Sequence, residues 1–255
     1  MAYKKYLEAT IWEYNTRYDT RKYNLKRRSL EDRLYEVAAQ QGGFFTARQA
    51  KAAGYADNGH PHHVRAGNWI RERRGIYRLA RYPLPTRPDL ILWQLWSHNR
   101  AGEPQGTFSH RTALTLYGLS DVMPAKLDMT VPPGFQRMAA IPTVLRLRKQ
   151  RLDDGDVETI DGVRVTTPLR TLVDTIVAGQ VASELQVQAV HDAIRLGLVT
   201  LRQLDDVQVS RRAAQRLGSI LKQVRSAKPT TVQHGGSVSN RARNAAARTR
   251  KARRR

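Results

Sequence analysis

The chain has 255 residues, 40% of them hydrophobic, enough for a packed core in one large or two small domains. It contains no cysteine, which excludes disulfide scaffolds, cysteine zinc ribbons, iron–sulfur clusters and thiol catalysis. Lys and Arg number 44 against 22 Asp and Glu, a formal charge of +22 that favours an anionic partner.

The charge is unevenly distributed. Residues 81–210 are balanced, whereas residues 211–255 carry fourteen basic side chains and no acid. No apolar run approaches the ~20 residues of a membrane helix, and the basic start lacks the apolar stretch of a signal peptide. A soluble, cytoplasmic protein is expected.

Residues 1–28 form a basic prefix with six aromatic rings, among them Trp12 and Tyr14. Two readings stand for it: a helix that packs its rings on the next domain, or a basic arm that touches nucleic acid. Residues 29–80 read as a winged helix-turn-helix. Ser29 is a candidate cap for a helix carrying Leu30, Leu34, Val37 and Ala38, which Gly42-Gly43 stops. Thr46 caps a second, shorter helix that Gly54 ends. Asp57 or Asn58 caps a third, which carries His60, Pro61, His62, His63, Val64 and Arg65. Trp69–Arg73 and Ile76–Leu79 flank a Gly-containing turn and predict a hairpin.

Two prolines make 81–87 a linker, and Pro88 starts a helix through Trp96. The stretch 88–209 reads as a second, α+β domain. Helices are expected from Ser109 to about 116, from Pro168, and over about 182–196 and 200–207. Strands are expected at Leu127–Val131, Thr143–Leu147, Val157–Ile160 and Val163–Thr166, the last two joined by an Asp161-Gly162 turn. Beyond 210 come a basic amphipathic helix and, after Pro229, a tail too poor in apolar residues to order itself. Its last stretch, Arg241–Arg255, would add salt-sensitive affinity for DNA or RNA.

A helix enters the major groove and reads base edges with its exposed N-terminal side chains. In the third helix these are Asn58, His60, His62 and His63, with Arg65 placed for a phosphate. The hairpin groups Arg71, Arg73, Arg74 and Arg78. The three clustered histidines also raise a metal site, but Pro61 lies among them and no Cys or acid stands at ligand spacing, so neither metal nor cofactor is expected. No serine-hydrolase, phosphate-loop or metalloprotease motif occurs. The acids Asp153, Asp154, Asp156, Glu158 and Asp161 do not follow a calcium-loop pattern and read as a solvated loop.

Gly-Gly-Phe-Phe-Thr-Ala-Arg-Gln-Ala-Lys-Ala-Ala-Gly (42–54) with Arg-Glu-Arg-Arg-Gly-Ile-Tyr-Arg-Leu (71–79) resembles the winged-helix domain of AbiEi-like antitoxins. Ser-His-Arg-Thr-Ala-Leu-Thr-Leu-Tyr-Gly-Leu-Ser (109–120) and Val-Thr-Thr-Pro-Leu-Arg-Thr-Leu-Val-Asp (165–174) are similar to motifs of the domain that follows it. The resemblance covers about 30–207. It implies a non-enzymatic bacterial repressor that binds double-stranded DNA at its own promoter and counteracts a nucleotidyltransferase toxin in a type IV, phage-defence setting. It implies DNA contacts from the third-helix residues and from the hairpin arginines. His110, Arg111, Thr112, Thr167, Arg170 and Asp174 would belong to the second domain, with Thr167 a helix cap and Arg170–Asp174 a surface pair one turn apart. A winged helix used for protein contact, or a non-specific nucleic-acid binder, would use the same residues. An enzyme would have to rest on Asp154 or Asp156.

Overall fold

A computed structural model describes residues 29–119, 125–138 and 140–226. The expectations for 1–28 and for the tail after 226 lie outside the described residues. The chain forms two compact units, one ending at Trp96 and one beginning at Ser97.

The first unit opens with helix α1 (29–39), which already includes Ser29. Strand β1 (Phe44–Thr46) and helix α2 (Ala47–Ala53) follow. Thr46 is the α2 cap, as expected, and the reciprocal bonds of a capping box are present. The Gln49 N–H donates to Thr46 Oγ1 at 3.2 Å and the Thr46 N–H donates to Gln49 Oε1 at 2.8 Å. Helix α3 (His60–Arg65) and the hairpin β2 (Trp69–Arg73) and β3 (Ile76–Leu79) complete a winged helix.

The hairpin is part of a three-stranded antiparallel sheet, order β1-β3-β2, with Phe44 opposite Arg78 and Trp69 opposite Leu79. The strand β1 was not expected. It is three residues long, too short to show an alternation of its own. Side chains alternate across a sheet. Phe45, Trp69 and Tyr77 therefore meet Leu34, Ala38, Ala50 and Tyr55 in one core, while Phe44 is buried outside that cluster.

Helix α4 (Pro88–Trp96) forms from Pro88 as expected, but it packs on β1 and β3 within the first unit instead of opening the second. A Cβ at Gly42 would lie 2.8 Å from Ile91 Cδ1, and its φ of +60° also favours glycine. The stretch 81–87 is anchored: the Tyr82 hydroxyl donates to Ala39 O at 3.3 Å, and its ring lies against Tyr35.

The second unit holds a five-stranded mixed sheet, order β6-β5-β4-β8-β7. Its strands are β4 (Thr107–Phe108), β5 (Leu127–Val131), β6 (Leu145–Lys149), β7 (Val157–Ile160) and β8 (Val163–Thr166). Asp161 and Gly162 both take positive φ, the conformation that closes the β7–β8 turn. Helix α5 (His110–Tyr117) packs on β5 and β8 and against α6 (Pro168–Ala178). Helices α7 (Ser183–Arg195), α8 (Leu201–Asp205) and α9 (Arg211–Ser226) surround α6.

Helix α9 is not an appendage beginning a tail. Its stripe of Ala213, Leu217, Ile220, Leu221 and Val224 is buried, and it packs on α6 and α7. Among the described residues no helix is long and apolar enough to cross a membrane.

Candidate nucleic-acid interface

Helix α3 is entered through a tight turn at Asp57–Gly59, and Gly59 takes the cap position without a side-chain bond. Neither Asp57 nor Asn58 caps it. Asp57 is held instead by Lys51, 2.9 Å away, which keeps its carboxyl below the usual range. Residues three and four apart share a helix face. His60, His63 and Val64 therefore turn toward the sheet, whereas His62 and Arg65 turn away and are exposed, as is Asn58.

His60 is 3% exposed. Its ring centroid lies 5.4 Å from Trp69 and 5.7 Å from Tyr77, and its Nε2 is buried without a hydrogen-bond partner among the described residues. Burial pushes its pKa down. A ring so placed cannot reach a base edge, so His60 is corrected from a reading residue to a core residue. His63 stacks on Trp69 with centroids 4.6 Å apart and planes 21° from parallel. His60 and His63 both pack on Trp69, and the His62 ring lies edge-on to His63 with centroids 5.7 Å apart. Among the described residues no group of three His, Cys, Asp or Glu is placed to hold a metal.

The hairpin carries a bulge at Glu72: Arg71 pairs with Tyr77 but Arg73 pairs with Ile76. Glu72 Oε1 accepts from Arg78 Nε at 2.9 Å, and the Arg78 guanidinium lies 5.9 Å from the Phe44 ring. Arg78 is a paired, largely covered cation rather than a free contact for phosphate. The Arg73 guanidinium sits 5.1 Å over the Trp93 ring, although Arg73 remains exposed. Arg71 on β2 and Arg74 in the turn are exposed. Among the described residues Arg65, Arg71 and Arg74 face no carboxylate within ion-pair distance. The outward set is therefore Asn58, His62, Arg65, Arg71, Arg73 and Arg74.

The second-domain residues assemble a different, largely buried polar cluster. Ser109 Oγ lies 3.0 Å from His110 Nδ1 and accepts from Thr130 Oγ1 at 2.8 Å. Thr112 Oγ1 accepts from the Asp128 N–H at 2.8 Å, and Arg111 Nε donates to Asp128 Oδ2 at 3.2 Å. Arg170 bonds Asp174 at 2.9 Å, one turn on, and Asp156 at 2.7 Å. That pair is sheltered rather than on the surface, with side chains 19% and 9% exposed. Asp156 is thereby bound into the structure and is not part of a free loop. Thr167 makes no side-chain cap; its N–H donates to Asp156 O at 2.8 Å.

Sequence reasoning missed Asp128, Arg146 and Arg148. The signals were present: a carboxylate inside a strand, and a Leu-Arg-Leu-Arg alternation that puts two guanidiniums on one face.

His110 adopts φ 49°, a left-handed conformation uncommon outside glycine. Burial, and then the positive charges of Arg148, Arg170, Arg111 and Arg146, push its pKa down to about 3. The unfolded ring takes a proton below about pH 6.5, and the folded ring does so only near 3. The stability this ring provides is complete above that upper value and falls as pH drops through the window. Asparagine tolerates the same backbone, so His110→Asn is expected to flatten the acid limb by up to about 1.4 kcal/mol per pH unit. Urea unfolding at several pH values checks this; identical wild-type and variant slopes between about pH 6 and 4 would contradict it.

Comparison with known proteins agrees with this architecture. Residues 32–80 match the family described as "Transcriptional regulator, AbiEi antitoxin". Residues 106–223 match "AbiEi antitoxin C-terminal domain". The second match reaches into α9, consistent with the packing of that helix. Among solved structures, the chain is similar in fold to the RV2827C protein from Mycobacterium tuberculosis. The TM-score is 0.52 at 14% identity, over 76% of this chain and 77% of that one. No curated protein matches the sequence. Two family matches in the family's own domain order, on a winged helix followed by an α+β unit, place this chain in the AbiEi-like antitoxin family.

Proposed function

We propose that this antitoxin-family regulator is a sequence-specific, non-enzymatic repressor in the cytoplasm. It binds double-stranded DNA at its own promoter through the first unit and counteracts a nucleotidyltransferase toxin through the second. The observation that carries the DNA reading is the outward set on one winged helix. His62 and Asn58 stand at the exposed start of α3, Arg65 lies one turn on, and Arg71 and Arg74 stand on the hairpin without a carboxylate partner among the described residues. Side chains at the start of such a helix reach base edges, and wing cations reach phosphates. His60, His63 and Arg78 are left out: His60 is buried, the His63 ring is stacked on Trp69, and Glu72 neutralises Arg78.

The test separates reading from gripping. His62→Ala is expected to relax discrimination at a single base pair by ~1–3 kcal/mol. Competition of the upstream DNA fragment against singly substituted duplexes measures it. A uniform loss across all duplexes would show that His62 does not read a base.

A further inference from the structure

Strand β5 runs beside β6 in parallel, with Asp128 opposite Arg146 and Thr130 opposite Arg148. These four positions therefore share one sheet face, the face on which Arg111 of α5 also reaches Asp128. Three guanidiniums converge on one fully buried carboxylate: Arg111 Nε at 3.2 Å, an Arg148 terminal nitrogen at 3.3 Å and an Arg146 terminal nitrogen at 3.8 Å. The side-chain oxygen of Gln180 accepts from Arg146 at 3.2 Å and also from Arg148.

One carboxylate balances one of these cations, so two positive charges remain on the trio. The neighbouring Arg170 pairs with both Asp156 and Asp174, one carboxylate more than it needs, so the cluster with Arg170 included keeps one positive charge over. Hydrogen-bond donors are also in surplus. Each guanidinium has five N–H groups and no acceptor, and Arg148 Nε is buried with no hydrogen-bond partner among the described residues. The three side chains keep 18%, 37% and 20% exposure, so each remains partly accessible to solvent.

A structural ion pair needs one arginine for Asp128. Crowding two more like charges against it is unfavourable unless an anion completes the set. The forked donors match an oxyanion. The charges are also gathered at a point, where a nucleic-acid backbone would call for a row of contacts spaced along the strand. We propose that Arg111, Arg146 and Arg148, held by Asp128 and Gln180, form a receptor for one phosphate-monoester dianion. Buried beside it, His110 feels these guanidiniums more than any carboxylate and so reports on their neutralisation.

The test is a titration of the full chain with inorganic phosphate at constant ionic strength, following the His110 ring resonance, assigned with His110→Asn. A saturable shift is expected. Arg146→Gln removes the most exposed member, which is the one farthest from Asp128, and should weaken binding about ten-fold. Lys222→Gln, which removes an exposed charge on α9, should leave it unchanged. A shift that does not saturate, or one untouched by Arg146→Gln, overturns the proposal. So does a resonance that moves at lower concentrations of a duplex with 5′-hydroxyl ends, or of a polyglutamate peptide, than of phosphate.

Discussion

Asp128→Asn is expected to destabilise the second unit by ~3–5 kcal/mol, because removing one partner of a buried ionic group strands the others. The wild-type carboxylate is fully buried, and Arg111, Arg146 and Arg148 all reach it. An asparagine keeps the shape but removes the carboxylate charge that all three guanidiniums reach. It also puts an amide NH2 donor where a guanidinium already donates. Far-UV circular dichroism during urea unfolding measures the loss. The same substitution combined with Arg146→Gln and Arg148→Gln should recover part of it, since fewer cations are then left unbalanced. A midpoint within experimental error of wild type would show that Asp128 does not organise the cluster.

Trp69→Ala should cost the first unit a similar ~3–5 kcal/mol. Trp69 is 3% exposed. Its ring centroid lies 4.9 Å from Phe45, 5.0 Å from Tyr55, 4.6 Å from His63, 5.4 Å from His60 and 5.7 Å from Tyr77. Two of those five rings belong to α3, so the residue that fills the core also sets the roll of the helix that presents His62 and Arg65. The substitution should therefore lower both the unfolding midpoint, read by the fluorescence of Trp93 and Trp96, and the affinity for duplex DNA. Trp69→Phe, which retains most of the ring packing, should do less of each. An alanine variant with unchanged stability would refute this view of the core.

Much of the architecture could be read locally because it is written in local chemistry. Thr46 and Gln49 form a capping box, Gly54 ends α2 in the left-handed conformation, and Asp161-Gly162 makes the β7–β8 turn. What the chain conceals depends on partners distant in sequence. Phe44–Thr46 becomes a strand only because β3 lies beside it, and Thr107–Phe108 only because it sits between β5 and β8. Pro88 marked the start of α4 correctly, but a proline carries no information about which unit a helix joins.

Of the nine residues expected to contact DNA, six are exposed and three, His60, His63 and Arg78, are not. His60-Pro61-His62-His63 looks uniform along the chain. The three-and-four spacing within it already divides His60 and His63 from His62, and the fold uses that division. Arg78 was misjudged because the bulge that brings Glu72 to it is a feature of strand pairing and not of residue type. The polar cluster of the second unit was the least visible. Its members lie on α5, β5, β6 and α6, and only the sheet order assembles them.

The central claim is that the winged helix grips DNA phosphates with the hairpin cations that have no carboxylate partner among the described residues. The most direct measurement is the salt dependence of binding to the upstream duplex, for the wild type and for the Arg71→Ala/Arg74→Ala double variant. Each phosphate contact contributes ~0.9 to the slope of log K against log salt. The double variant is expected to bind more weakly on every duplex, with a slope shallower by about 2. An unchanged slope would mean that the hairpin does not dock on DNA.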